Sequence, residues 1–330
     1  MKRSIVELLT VPPQQHDIPW LMESLQAAIE LELSTLPPYL CALWSIKDTT
    51  GDAYKLVKSI VLEEMLHLGL SCNMLTALGK VPILNSNLPT YPGHLPGGVR
   101  PELTVYLAGF SKDYLENVCM QIEYPESGPV ALTANAELYP TIGAFYDSIY
   151  EAFQTLQPSL TGTNQLDGAT LNGYPIYPVK TLADVQKAIN EIKEQGEGTS
   201  KTPEAVGFNE LAHYYKFAQI FHGNYLVEHS DGTWQYTGSS IPFPDVYPMT
   251  PIPAGGYINP PQSVAVGLND FNKTFAAMLD CLQSAWANGS GDDLSTAIGI
   301  MFELRGKAAA LMNIPLPDGN GVYGPDFLLA

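Results

Sequence analysis

Leu62-Glu63-Glu64-Met65-Leu66-His67 and, far downstream, Glu210-Leu211-Ala212-His213 each place a carboxylate three residues before a histidine. On an α-helix that spacing puts both side chains on one face, about one turn apart. The neighbours on those faces decide the reading. Ile60, Val61, Leu68 and Ser71 flank the first pair, and Val206, Tyr214 and Phe217 the second, so ionisable groups point into a mostly apolar layer. A lone carboxylate is costly to bury there. One cation removes that cost by satisfying several carboxylates and neutral imidazoles together. Glu32 makes the same case on an earlier helix, because its neighbours at helical spacing are Ala28, Ile29, Leu36 and Tyr39. Glu30 lies off that stripe and is expected at the surface. A single E-x-x-H is most simply a surface salt pair. An inward Glu followed by two such pairs on apolar faces is the ligand order of a di-metal carboxylate four-helix bundle. The expected metal ligands are therefore Glu32, Glu64, His67, Glu210 and His213.

Working outward, residues 18–47 carry Leu25, Ala28, Ile29, Leu36, Leu40 and Leu43 at three- and four-residue steps, a helical period. Pro37-Pro38 sits inside this pattern and predicts a kink or a local break. A second helix spans 52–78 and closes at Gly79, with Pro82 beyond. Residues 112–122 fit a short helix or a strand. A third long helix is expected over 137–156, a surface helix over 182–195, and the fourth long helix from Pro203 to Phe221. Two more follow at 266–287 and 291–312. The intervening stretches are rich in Pro and Gly and are long for a compact domain, which points to loops that cover a site. The predicted fold is mostly α: a four-helix bundle over residues 1–226, with long insertions at 80–136 and 157–200. A C-terminal loop and helical extension, 227–330, packs on it as part of one structural unit.

The pattern asks for an acidic residue on the third helix to mirror Glu32, and Ala144 stands where it is expected. Asp147 and Glu151 are the nearby substitutes, each displaced around or along the helix. The expectation is two unequal metal positions, the one beside Glu32 being fuller.

Composition narrows the rest. A chain of 330 residues, 45% hydrophobic, can bury a large core, and a net charge of −18 argues against nucleic acid as a partner. Cys41, Cys72, Cys119 and Cys281 show no C-x-x-C spacing. No apolar run of about 18 residues is present, so no membrane span is expected, and a cytoplasmic location is the default. No phosphate loop and no G-x-S-x-G elbow occurs. His16, His94, His222 and His229 lack carboxylate or cysteine partners at metal-site spacing.

Four stretches together resemble a known family: Leu31-Glu32-Leu33-Ser34-Thr35-Leu36-Pro37-Pro38-Tyr39-Leu40, the run from Leu62 to His67, Thr141-Ile142-Gly143-Ala144-Phe145-Tyr146, and Glu210-Leu211-Ala212-His213-Tyr214-Tyr215. They are similar to the ferritin-like domain of the iminophenyl-pyruvate dimer synthase family, which also occurs in the larger enzymes of violacein- and rebeccamycin-type bisindole biosynthesis. Residues 271–317 and the ending Gly324-Pro325-Asp326-Phe327 resemble the segment that follows that domain. The resemblance implies a ferritin-like bundle with metal at Glu32, Glu64, His67, Glu210 and His213; Ala144 departs from the acidic residue of the family pattern. The expected function is an iron-dependent oxidase or oxygenase acting on a small aromatic or amino-acid-derived metabolite in secondary metabolism. One or two iron ions are expected, with manganese or zinc as alternatives. Oxidative coupling of imines belongs to the multidomain members. The alternative is a non-catalytic binding or scaffold protein with a structural or vestigial metal. The expected partners are a small-molecule substrate and, for assembly, further copies of the same chain.

Overall fold

The computed structural model describes residues 3–86, 88–125, 142–196 and 202–329. A short helix, α1 (Ile5–Leu9), opens on a capping box between Ser4 and Glu7. Two long helices follow, α2 (Ile18–Ser45) and α3 (Asp52–Ala77). Asp17 caps α2 by accepting from the Trp20 N–H at 2.8 Å. The short connection makes α2 and α3 antiparallel neighbours. Every residue of α2 from Ser24 to Ser45 is buried, which requires neighbours on all sides. Glu30 is among them, contrary to the surface position expected. The loop after α3 folds back over this part of α2, and Gln26 exchanges two hydrogen bonds with the Ile83 backbone, both 2.9 Å.

α2 runs through Pro37-Pro38 without the expected break. Pro38 has no N–H to offer the Ser34 carbonyl one turn earlier. The buried Tyr91 hydroxyl supplies the missing donor at 2.6 Å. Tyr91→Phe keeps the ring and removes that donor, so it is expected to lower stability by about 1–3 kcal/mol, the cost of one unpaired buried polar group. Denaturant unfolding measures it, and an unchanged midpoint would show that the carbonyl has another partner.

Residues 112–122 are helical but irregular: α4 (Lys112–Tyr114), a π-helical turn (Leu115–Cys119) and α5 (Met120–Ile122). The third long helix is α6 (Ile142–Leu156); the expected residues 137–141 lie outside the described ones. A hairpin of β1 (Thr170–Leu171) and β2 (Tyr174–Pro175) turns on Asn172-Gly173, both at positive φ as its tight turn demands. α7 (Leu182–Gln195) is capped by Thr181, in a capping box with Asp184.

The fourth helix departs from expectation. It is α8 (His213–His222), and it starts ten residues late. Residues 203–211 instead form a hairpin of β3 (Glu204–Ala205) and β4 (Glu210–Leu211). Gly207 at φ 92° and Asn209 at φ 53° turn the chain back on itself, conformations a right-handed helix cannot contain. After the hairpin of β5 (Val227–Glu228) and β6 (Trp234–Gln235), two long helices, α9 (Gln262–Asn288) and α10 (Gly291–Met312), pair across Gly289. Trp44 of α2, Phe271 and Phe275 of α9, and Phe327 of the tail form one aromatic cluster, which ties the C-terminal segment to the bundle. Among the described residues, no helix is long and apolar enough to cross a membrane.

Candidate metal centre

Among the described residues, two buried triads lie in the middle of the bundle. Glu32, Glu64 and His67 form the first, and Glu64, Glu123 and His213 the second. In each, the ligand atoms lie within 4.8 Å of one another. Glu64 belongs to both. Glu32 comes from α2, Glu64 and His67 from consecutive turns of α3, His213 from the first residue of α8, and Glu123 from the residue that closes α5. The imidazoles of His67 and His213 stack at 5.5 Å between centroids.

Phenols and hydroxyls hold the carboxylates in place. Tyr146 of α6 donates to Glu32 Oε1, and Ser71 Oγ, 3.2 Å away, donates in turn to Tyr146. Tyr39 donates to Glu123 at 2.5 Å, and Thr35 to Glu64 at 2.7 Å. Burial raises both tyrosine pKa values well above the ordinary value, and the adjacent carboxylates raise them further. Both therefore stay protonated and donate.

A chain of hydrogen bonds sets both histidine tautomers. Lys216 Nζ donates to Glu210 Oε2 at 2.8 Å and to Glu63 Oε2 at 2.5 Å. The other Glu210 oxygen accepts from Gln195 Nε2 at 3.2 Å. A carboxylate only accepts, so the Gln195 amide is fixed with Oε1 toward His67 Nε2, at 2.9 Å. Nε2 of His67 thus carries hydrogen. Glu63 imposes the same choice on His213, whose Nε2 lies 2.8 Å from Glu63 Oε2. In the neutral ring of each, Nδ1 is then a bare lone pair facing the carboxylates. His67 Nδ1 lies 3.8 Å from Glu32 and 3.7 Å from Glu64. His213 Nδ1 lies 2.8 Å from Glu64 and 3.6 Å from Glu123. With the neutral ring's hydrogen on Nε2, Nδ1 is buried without a hydrogen bond, and its contact with Glu64 becomes an ion pair only when the ring is protonated.

The electrostatics follow from crowding carboxylates away from water. Burial, reinforced by Glu64, raises Glu32 to about 8. Burial opposes ionisation of Glu64 as well, but the two histidines outweigh it and hold that carboxyl well below its ordinary range. For Glu63, His213 and then Lys216 overcome burial and bring it to about 2. Burial lowers both histidines, yet the carboxylates beside them win and raise both. Without a cation, protons do the neutralising.

A family model described as ferritin-like matches residues 25–222. The chain belongs to the ferritin-like family. A ferritin-like protein from Caulobacter vibrioides, solved at 1.95 Å, is similar to it with a TM-score of 0.66 and 25% identity, over 94% of this chain and 99% of that one. No curated protein matches it.

Within this ferritin-like protein the structure brings Glu32, Glu64, His67 and His213 together, and it sets Glu210 apart in β4, bound to Lys216 and Gln195. Glu123, which the sequence reading did not single out, stands in the second triad. Asp147 is at the surface and pairs with Lys193 at 2.5 Å, and Glu151 is exposed. Ala144 is exposed too, while Tyr146 of the same helix faces Glu32. The presumed gap therefore does not lie at the site. Each triad has two carboxylates and one histidine, and the reason for unequal occupancy disappears.

Proposed function

We infer that this protein is a di-metal oxidoreductase, binding one divalent cation at Glu32, Glu64 and His67 and a second at Glu64, Glu123 and His213. The observation that carries this is His213 Nδ1: a fully buried nitrogen, without a hydrogen bond, aimed at two carboxylates while its ring partner is committed to Glu63. A histidine whose far nitrogen donates to a carboxylate is the usual posture of a metal ligand. Charge supports two ions. With both imidazoles neutral and every carboxyl ionised, as metal binding would require, the site among the described residues holds five carboxylates, Glu32, Glu63, Glu64, Glu123 and Glu210, against one ammonium, Lys216. Two divalent cations cancel the four charges that remain. Carboxylate and imidazole donors suit iron, and also manganese or zinc.

Iron held by these residues would supply electrons to dioxygen; the chain's own residues place the protons and shape the space around it. Tyr39 and Tyr146 hold protons on the phenol oxygens that face Glu123 and Glu32. Leu31, Ile122, Ile142 and Ile192 line a cavity of about 40 Å³ beside Glu32, Glu64 and His67 and keep it largely apolar. Its size suits dioxygen or a few waters. The reductant would be a small aromatic or amino-acid-derived metabolite, as the sequence resemblance implies.

Metal analysis of the purified protein tests the reading: His67→Ala and His213→Ala should each remove about one of two bound ions. Full metal content in both variants would sink the site assignment, and an iron-loaded protein that consumes no dioxygen with any small aromatic or amino-acid-derived reductant supplied would sink the oxidoreductase reading alone.

The pH dependence has a defined sign. The folded value of Glu32 is raised, so its proton contributes stability that is complete below the ordinary carboxyl value of 4.5 and is lost as pH rises through about 8. A cation takes the place of that proton. Added manganese should therefore raise the melting temperature more at about pH 8 than at about pH 6. Equal increments at both would mean that Glu32 is not displaced from its proton by the metal.

A further inference from the structure

On the side of α2 and α3 turned away from the carboxylates lies a second cavity, of about 80 Å³. Helical spacing separates the two. On α2, Glu32 and Thr35 face the triads while Leu33, Leu36 and Leu40 face the cavity; on α3, Glu64 and His67 face the triads while Met65 and Leu68 face the cavity. The opposite wall is the α9–α10 pair, with Phe275, Met278 and Trp286 from α9 and Ala297 and Met301 from α10. All of its lining side chains are apolar or aromatic. The polar atom among them, Trp286 Nε1, is already committed to Asn73 Oδ1 at 2.9 Å.

We propose that this chamber is a binding site for a small uncharged apolar molecule, no larger than a single aromatic ring, lodged between the metal-carrying helices and the α9–α10 pair. An apolar cavity without hydrogen-bonding groups does not hold water well and stays dry. Left empty, its walls forfeit dispersion contacts, and protein interiors keep few voids of this size. The absence of any charged or donating group excludes carboxylates, phosphates and sugars. The volume limits the guest: a cavity of about 150 Å³ with similar walls admits benzene. Here three flexible thioethers, Met65, Met278 and Met301, border the space and give where a ring needs room. Met65 and Met301 are only partly buried and lie at the rim, whereas Phe275, Trp286 and Ala297 are buried at the wall. No metal ligand lines the chamber, so the proposal stands independently of the metal reading.

Methyl-labelled methionine NMR tests it on the full chain with toluene as the probe. The signals of Met65, Met278 and Met301 should shift and saturate below the solubility limit of toluene, while those of Met22, Met120 and Met249 stay in place. Ala297→Phe fills the chamber and should weaken binding by about tenfold or more. Met301→Phe, at the partly exposed rim, should do the same without disturbing a fully buried wall. Non-saturating shifts, shifts of all methionines alike, or undiminished binding in the folded variants would overturn the proposal. So would chamber shifts that track protein concentration without toluene, since they would mark this face as a contact between copies of the chain.

Discussion

Glu64→Gln should empty both metal positions at once, whereas Glu32→Gln and Glu123→Gln should each empty one. The asymmetry follows from the geometry. Glu64 stands in both triads, with one oxygen 2.8 Å from His213 Nδ1 and 3.7 Å from His67 Nδ1. Glu32 and Glu123 each stand in one. Removing the shared charge leaves each position a single carboxylate and a neutral imidazole in a water-poor core. Removing a terminal charge leaves the other position complete. Glutamine is close to isosteric and still accepts from Thr35, which now donates to Glu64 at 2.7 Å, so loss of metal would not reflect loss of packing. Manganese titration read by electron paramagnetic resonance, together with total metal per chain, separates the three variants. One full equivalent retained by Glu64→Gln would show that the carboxylate is not shared. A milder effect is expected of Thr35→Val, which removes only the donor that orients Glu64, with affinity reduced on the order of 10-fold.

How much of this centre was legible in the sequence depended on the regularity of the helices. Glu32, Glu64 and His67 sit on long uninterrupted helices, so the apolar neighbours one turn away reported correctly on which way each side chain points. The same logic failed at Glu210. Its E-x-x-H spacing matches that of Glu64 and His67, but Gly207 and Asn209 turn the chain into a hairpin, and Glu210 ends in β4, outside the helix that carries His213. Those two residues were a readable warning of turn chemistry inside a presumed helix. Glu123 carried almost no signal. It closes a short segment interrupted by a π-helical turn, with no histidine at helical spacing and only Cys119, Met120 and Ile122 as apolar company. Ala144 misled for a different reason. An acidic residue on the third helix at the height of Glu32 is the expectation of a symmetric bundle, whereas α6 offers the Tyr146 hydroxyl to Glu32 and Glu123 comes from a separate element. Periodicity reads faces of regular helices; it does not read side chains delivered from helix ends.

Lys216→Met is expected to be the most destabilising single change around the site. The Lys216 side chain is 5% exposed and joins Glu63, fully buried, to Glu210, 18% exposed. Methionine fills a similar volume but offers no charge. Among the described residues, Glu63 would then keep only Asn172 and His213 as partners, and breaking a buried ion pair from one side typically costs about 3–5 kcal/mol. The damage should also be directional. Glu63 fixes Nε2–H of His213, and Glu210 fixes Gln195 and through it His67. The Lys216–Glu63 contact is direct, whereas the route to His67 passes through two further residues. Metal affinity should accordingly fall more at the His213 position, on the order of 10–100-fold for loss of a supporting contact. Glu210→Gln, at the half-open end of the network, should cost less stability because water reaches that carboxylate, and it should retain both metals. The double variant Lys216→Met/Glu63→Gln discriminates a charge effect from a packing effect. It removes the stranded carboxylate, so it should be more stable than Lys216→Met alone, a non-additivity expected of residues in one network. Urea unfolding of the wild type, Lys216→Met, Glu63→Gln and the double variant in metal-free buffer reads the stabilities. If the two single losses simply add in the double variant, Lys216 contributes through its methylene packing and the ion-pair account fails.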